Sequence, residues 1–226
     1  MVYYNLKVLV LLKEDIKYEE TYQKISDFIA YAMLQNEETK KLHEENRYKL
    51  YNFCSLYPFE KDGIYKKERI YTFDIKFIDL NFAMKIKQFL TNIQNKYFKV
   101  IMSDIKANSY KKINKLITLT PGIITTKKGD YKIDNDIELV KNRIIAGVEK
   151  KYQLIYKEKI KADFIQDIIK TNRTPIKIPY KNIYFLGNKF EIIVKEDELS
   201  QKLAHILLST GILEKNSQGF GFCKAR

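Results

Sequence analysis

Two histidines are the side chains of this 226-residue chain whose ordinary titration falls near neutral pH, and they stand in opposite surroundings. His43 is set among Lys40, Lys41, Glu44, Glu45 and Asn46, which suits proton transfer at an open site and equally suits a plain surface loop. His205 lies in the apolar run Leu203-Ala204-His205-Ile206-Leu207-Leu208, where a packed helix residue explains it better than catalysis does. Cys54 and Cys223 have no close partner and no zinc-ligand spacing, so neither a metal nor another cofactor is expected.

The C-terminal string GILEKNSQGFGFCKAR places Gly211, Gly219 and Gly221 around the polar stretch Glu214-Lys215-Asn216-Ser217-Gln218. Glycines allow close backbone approach to a phosphate, and exposed N–H groups beside a lysine can hold one. A glycine-containing turn between a helix and a strand fits the same residues.

The charge balance widens the question. The chain has 41 Lys+Arg against 28 Asp+Glu, a formal net charge of +13. Residues 1–110 carry 18 Lys+Arg against 15 Asp+Glu, or +3, and residues 111–226 carry 23 against 13, or +10. That excess attracts polyanions, with nucleic acid foremost, although a Lys-, Ile-, Asn- and Tyr-rich composition also follows from AT-rich coding. Lys127 and Lys128, then Lys141, Arg143, Lys150 and Lys151 along one long helical stretch, are the candidates to follow a phosphate backbone. Lys157, Lys159, Lys161, Arg173, Lys177 and Lys181 extend the basic character, and such runs also occur as solvated faces.

Two units must position these groups. Residues 3–13 read as a buried strand, and residues 18–35 change to helical spacing with Tyr22, Ile25, Ile29 and Ala32 on one face. A polar turn follows, then strand-like stretches at 47–57 and 68–77 with the turn pair Asp62-Gly63 between them. A helix over about 80–95 and a strand over 97–106 complete a β-α-β-β-α-β order, the ferredoxin-like motif. The second half repeats it: a strand at 115–126, a helix at about 136–155, strands at 162–170, 176–186 and 189–195, a helix at 197–210, and a last strand at about 219–225. The expected fold is α+β, two tandem ferredoxin-like domains spanning 1–110 and 111–226. No apolar run reaches the roughly 18 residues of a membrane span, and the start of the chain lacks a signal-peptide pattern, so a soluble, reduced, cytoplasmic protein is expected.

The tail resembles the C-terminal glycine-rich loop of Cas6 proteins, within the wider group of repeat-associated RNA-binding proteins. Lys215-Asn216-Ser217 and Gly219-Phe220-Gly221 match that pattern, and Leu213 stands where it has a second early glycine. A second window, from His43 through Phe53 to Ser55, resembles the family's His-then-aromatic strand. The resemblance implies a metal-independent endoribonuclease that cuts precursor CRISPR RNA within its repeats. A 2′-OH would attack the adjacent phosphate and leave 2′,3′-cyclic phosphate and 5′-OH ends.

The resemblance also implies a Tyr/His/Lys set in Tyr31, His43 and Lys49. His43 would move the proton, Lys49 would stabilise charge on the phosphorane, and Tyr31 would assist proton transfer or orient the ribose. Tyr31 beside Phe28 and Leu34 also fits the edge of a core, and Lys49 a solvated strand position. Gly211, Lys215, Asn216, Ser217, Gly219 and Gly221 would touch RNA. The partner is then CRISPR repeat RNA, with a homodimer or a Cascade-like effector complex left open. A catalytically inactive RNA-binding subunit of such a complex, or a general RNA-binding module, fits the same tail.

Overall fold

The computed structural model describes residues 1–45, 47–109, 112–125 and 136–226. Strand β1 (Val2–Leu12) sets the first sheet. Its Leu6, Val8, Val10 and Leu12 alternate into the core with no exposed surface, as the period of a half-buried strand requires. β1 pairs antiparallel with β5 (Ile70–Phe77) on one side and β6 (Phe98–Ser109) on the other. The short β3 (Tyr51–Phe53) adds to β5, so the order is β3-β5-β1-β6. Helices α1 (Thr21–Met33) and α3 (Leu80–Asn92) bury Ile25, Phe28, Ile29, Ala32, Ala83, Ile86 and Leu90 in the same core.

The second sheet has the order β12-β7-β11-β8, from β7 (Lys115–Thr118), β8 (Ile165–Lys170), β11 (Phe190–Val194) and β12 (Cys223–Ala225). Its core also takes in α4 (Ile137–Tyr156) and α5 (Glu198–Thr210). Both sheets thus place the first strand at the centre and the fourth beside it, the ferredoxin-like arrangement twice over.

Three local expectations change. The stretch expected as a polar turn forms helix α2 (Glu37–Glu44). Its N-cap Asn36 accepts from the N–H groups of Glu38 (3.0 Å) and Thr39 (3.4 Å), and the buried Thr39 hydroxyl donates to the Met33 carbonyl at 2.6 Å. The stretch 47–57 contributes just the three residues of β3, and Asp62-Gly63 opens β4 (Ile64–Tyr65), which pairs with β2 (Ile16–Lys17). The stretch 176–186 is not one strand but a hairpin, β9 (Ile176–Tyr180) and β10 (Ile183–Gly187), turning at Lys181 with φ of 54°.

That hairpin reaches the first unit, where the Tyr180 and Ser26 hydroxyls are 3.0 Å apart and the Lys181 N–H donates to the Gln23 side chain at 2.8 Å. The C-terminal tail also spans the junction. Phe220 stacks on Tyr22 with ring centres 5.1 Å apart, the Asn52 amide donates to the Phe220 carbonyl at 3.0 Å, and the buried Lys76 ammonium donates to the Cys223 carbonyl at 2.6 Å. Among the described residues no helix is long and apolar enough to cross a membrane.

Candidate active-site cleft

A cleft of about 760 Å³ lies between the end of α2 with the loop after it, the middle of α4, and the polar part of the tail. Its lining includes six Lys and Arg side chains (Arg47, Lys49, Arg143, Lys150, Lys151, Lys215) against the carboxylates Glu44, Glu45 and Glu214, so its charge is positive before His43 is counted. Two of these partners neutralise each other in part: Arg143 lies 3.5 Å from Glu214 and also donates to the Thr125 carbonyl.

His43 occupies the last turn of α2, half-buried on the cleft wall. Burial pushes its pKa below the ordinary histidine value, the nearby Lys49 ammonium lowers it further, and Glu44 pulls it partly back. The imidazole is therefore neutral at pH 7, the form that accepts a proton. Lys49 lies beside it but has a different task from the one expected. Its ammonium donates to the carbonyls of Leu42, His43 and Glu45, with 2.7 Å to His43. These are carbonyls a helix end leaves unpaired, so Lys49 ties off the helix that carries the histidine.

Tyr31 is on α1, half exposed, and is not among the residues that line the cleft. Two phenols line the cleft: Tyr51, buried with its hydroxyl donating to the Met33 sulfur, and the more open Tyr48, to which the sequence assigns no role. Burial raises its pKa, Glu214 adds to the rise and Arg143 opposes it. Its signal was slight: an aromatic next to Lys49, inside the window already chosen for His43.

The tail departs from expectation in a consistent way. The N–H groups of Gly211, Gly219 and Gly221 donate to the carbonyls of Leu207 (2.8 Å), Asn216 (2.9 Å) and Pro121 (2.9 Å), so none is offered to a phosphate. Asn216 is likewise buried, its amide donating to the carbonyls of Ile212 (3.1 Å) and Phe220 (3.0 Å). Gly219 has φ of 89°, and a Cβ there would lie 2.6 Å from the Phe53 ring, so the glycine serves the contact between the two units. Leu213 has the left-handed conformation that a glycine adopts most readily, with φ of 64°. Its side chain is buried against Gly122, where an added Cβ would meet it at 2.7 Å, so the close contact here requires the small residue at 122. Lys215 and Ser217 remain on the cleft lining.

The basic residues of α4 divide. Arg143 and Lys150 are exposed on the cleft, while Lys141 lies outside it, near Asp163. Lys151, expected to face RNA, is instead 1 % exposed, with its ammonium bonded to the Gly211 carbonyl (2.6 Å) and the Asn216 side chain (2.8 Å). A lysine bonded inside the fold is not available to bond a phosphate. Lys127 and Lys128 lie outside the described residues. His205 is buried in α5, as its apolar surroundings suggested. Among the described residues no three His, Cys, Asp or Glu side chains group as a cation site.

Comparison with known proteins adds to this geometry. A CRISPR-associated endoribonuclease, Cas6 2, of Methanocaldococcus jannaschii is 25 % identical over 238 residues, covering 96 % of this chain and 98 % of that protein. A solved structure described as a RAMP protein binding different RNA substrates superposes with a TM-score of 0.76 at 18 % identity, covering 99 % of each chain. A Cas6-related protein from Pyrococcus furiosus superposes with a TM-score of 0.72 at 19 % identity, covering 98 % of each. Residues 105–225 match the family profile described as CRISPR associated protein Cas6, C-terminal. That match spans more than half of the chain, which therefore belongs to the Cas6 family.

Proposed function

We propose that this protein is a metal-independent endoribonuclease that cuts precursor CRISPR RNA inside its repeats in the cytoplasm. The observation that carries the reading is the placement of His43, neutral by its surroundings, on the wall of a positively charged cleft in a Cas6-family chain. The M. jannaschii relative, named as an endoribonuclease, supports the reaction class.

RNA supplies its own nucleophile. His43 would accept the 2′-OH proton as that oxygen attacks the adjacent phosphorus; the P–O5′ bond breaks, the 5′ oxygen takes a proton from solvent water, and the ends are 2′,3′-cyclic phosphate and 5′-OH. Lys49 would fix His43 by holding its helix end while adding positive charge behind the phosphorane. Tyr48 would take the ribose-orienting role that Tyr31, outside the cleft, is not placed to fill. Arg143, Lys150, Lys215 and Ser217 would carry the phosphate path. The unit over 1–110 thus contributes the chemistry and the unit over 111–226 most of the binding charge.

The test is cleavage of the cognate repeat RNA in EDTA, comparing wild type with His43→Ala. Single-site cutting to a 2′,3′-cyclic phosphate, lost in the variant with binding kept, is the expected result. Cutting that survives in the variant would discard His43, and loss of cutting in EDTA would discard the metal-free reaction. Tight repeat binding with no cutting by either protein would replace the enzyme with an RNA-holding subunit of an effector complex.

A further inference from the structure

Adjacent lysines on α4 face opposite ways: Lys150 is exposed on the cleft, and Lys151 enters the protein beneath the tail. The acceptors around the Lys151 ammonium are all uncharged, namely the Gly211 carbonyl at 2.6 Å, the Asn216 side chain at 2.8 Å and the Thr210 carbonyl at 3.4 Å. A buried cation without a carboxylate partner is costly, so an apolar side chain would serve a merely structural purpose better. The three acceptors bracket the segment 212–215, and Asn216 stands between Lys215 and Ser217, two of the tail residues that line the cleft.

We propose that Lys151 is a positioning residue for RNA: without touching the ligand, its charged ammonium clamps residues 210, 211 and 216 and so sets Lys215 and Ser217 against the wall that carries His43. This rests on the reading of the cleft as the RNA site. The clamp is then linked to the ligand by charge, because a polyanion across the cleft favours the protonated amine below it. Burial lowers the Lys151 pKa to about 7, so the amine gains charge over the pH range in which RNA binding is measured. The groups facing it are Tyr48, whose ring centre is 5.5 Å from the ammonium, and the Cys223 thiol on β12, pushed up to about 11 by burial and therefore neutral. Lys150 and Lys215 share the cleft lining.

The experiment uses repeat RNA and a His43→Ala protein, which removes cleavage and the histidine that lines the cleft. Adding Lys151→Met is expected to weaken binding about fivefold at about pH 6 and less than about twofold at about pH 8.5. A ratio that does not change with pH would reduce Lys151 to a structural residue and overturn the proposal. Adding Lys215→Ala on top of Lys151→Met is expected to cost little more, since the first change already misplaces that lysine; full additivity would overturn the proposal too. If Lys151→Met does not fold, calorimetry of the His43→Ala protein in two buffers of different ionisation enthalpy answers the question, with proton uptake on binding expected and its absence contrary. RNA that binds with undiminished affinity to Lys215→Ala alone would remove the cleft reading itself and this proposal with it.

Discussion

The wall that carries His43 is the eight-residue helix α2, held at one end by the Asn36 side chain and at the other by the Lys49 ammonium. The facing wall, residues 211–221, is held from all sides: by Lys151 from α4, by Asn52 and Phe53 from β3, and by the Phe220 ring against Tyr22. One wall is a short exposed element with a few replaceable polar bonds; the other is part of the interior. The difference teaches a division of labour. Under the proposed reading, the chemistry would sit where a side chain can adjust around a substrate, and the conspicuous glycine motif would supply the rigid surface against which that adjustment occurs.

The sharpest way to break this comparison is to remove a group from each wall. His43→Ala is expected to lower the single-turnover cleavage rate by about 10²–10⁴-fold while leaving the dissociation constant for repeat RNA within about threefold. Gly219→Val reverses the pattern. The added carbons meet the Phe53 ring, 2.6 Å from the first of them, in a conformation with φ of 89°. A loss of about 3 kcal/mol or more in denaturant unfolding is expected, with cleavage by the surviving folded fraction nearly normal. Equal stability in Gly219→Val would show that the tail is not the rigid wall.

The walls also differed in how far they were legible. The alternation of β1 and the apolar faces of α1 and α3 announced both the elements and their order, because burial on one face imposes a period that survives in sequence. Helix α2 was misread as a turn. At eight residues, polar throughout except for Leu42, it has almost no apolar face to show, and its caps come from Asn36 and from Lys49, seven residues beyond Leu42. The glycine string pointed to the family but not to its physical role: sequence records that a residue must be small, not whether a phosphate or the Phe53 ring lies against it. Lys150 and Lys151 looked alike for the same reason, and a single residue step along α4 separates an exposed cleft residue from a buried one.

That buried lysine gives the rigid wall a pH signature. A base whose folded pKa is lowered binds fewer protons when folded, so its contribution to stability grows as pH rises through the folded value toward the unfolded one. For Lys151 the rise begins at about 7. The upper end is limited by the Cys54 and Cys223 thiols, which burial pushes up to about 12 and about 11, because unfolding lets them ionise above about pH 9 and stability then falls. Wild-type protein is expected to gain about 2 kcal/mol in urea unfolding between pH 7 and 9, and Lys151→Met to lose that dependence. A flat wild-type profile would place a counter-charge at Lys151.

The smallest expected effect returns to the His43 wall and tests whether it depends on its caps. Asn36 accepts from two N–H groups at the start of α2, and Asn36→Ala removes both bonds without touching the cleft, since Asn36 is not among its lining residues. Loss of an N-cap typically costs about 1 kcal/mol, and in so short a helix that is enough to let the first turn fray. Lys49 still holds the other end, so His43 keeps its place for most of the time. Global stability should fall by about 1 kcal/mol or less and cleavage by about twofold to fivefold, with RNA affinity unchanged. A hundredfold loss of cleavage would mean that α2 is one cooperative unit and that Lys49 alone cannot keep the histidine in register. No change at all would mean that the Lys49 clamp suffices, which makes the single lysine, rather than the helix, the support on which the chemistry depends.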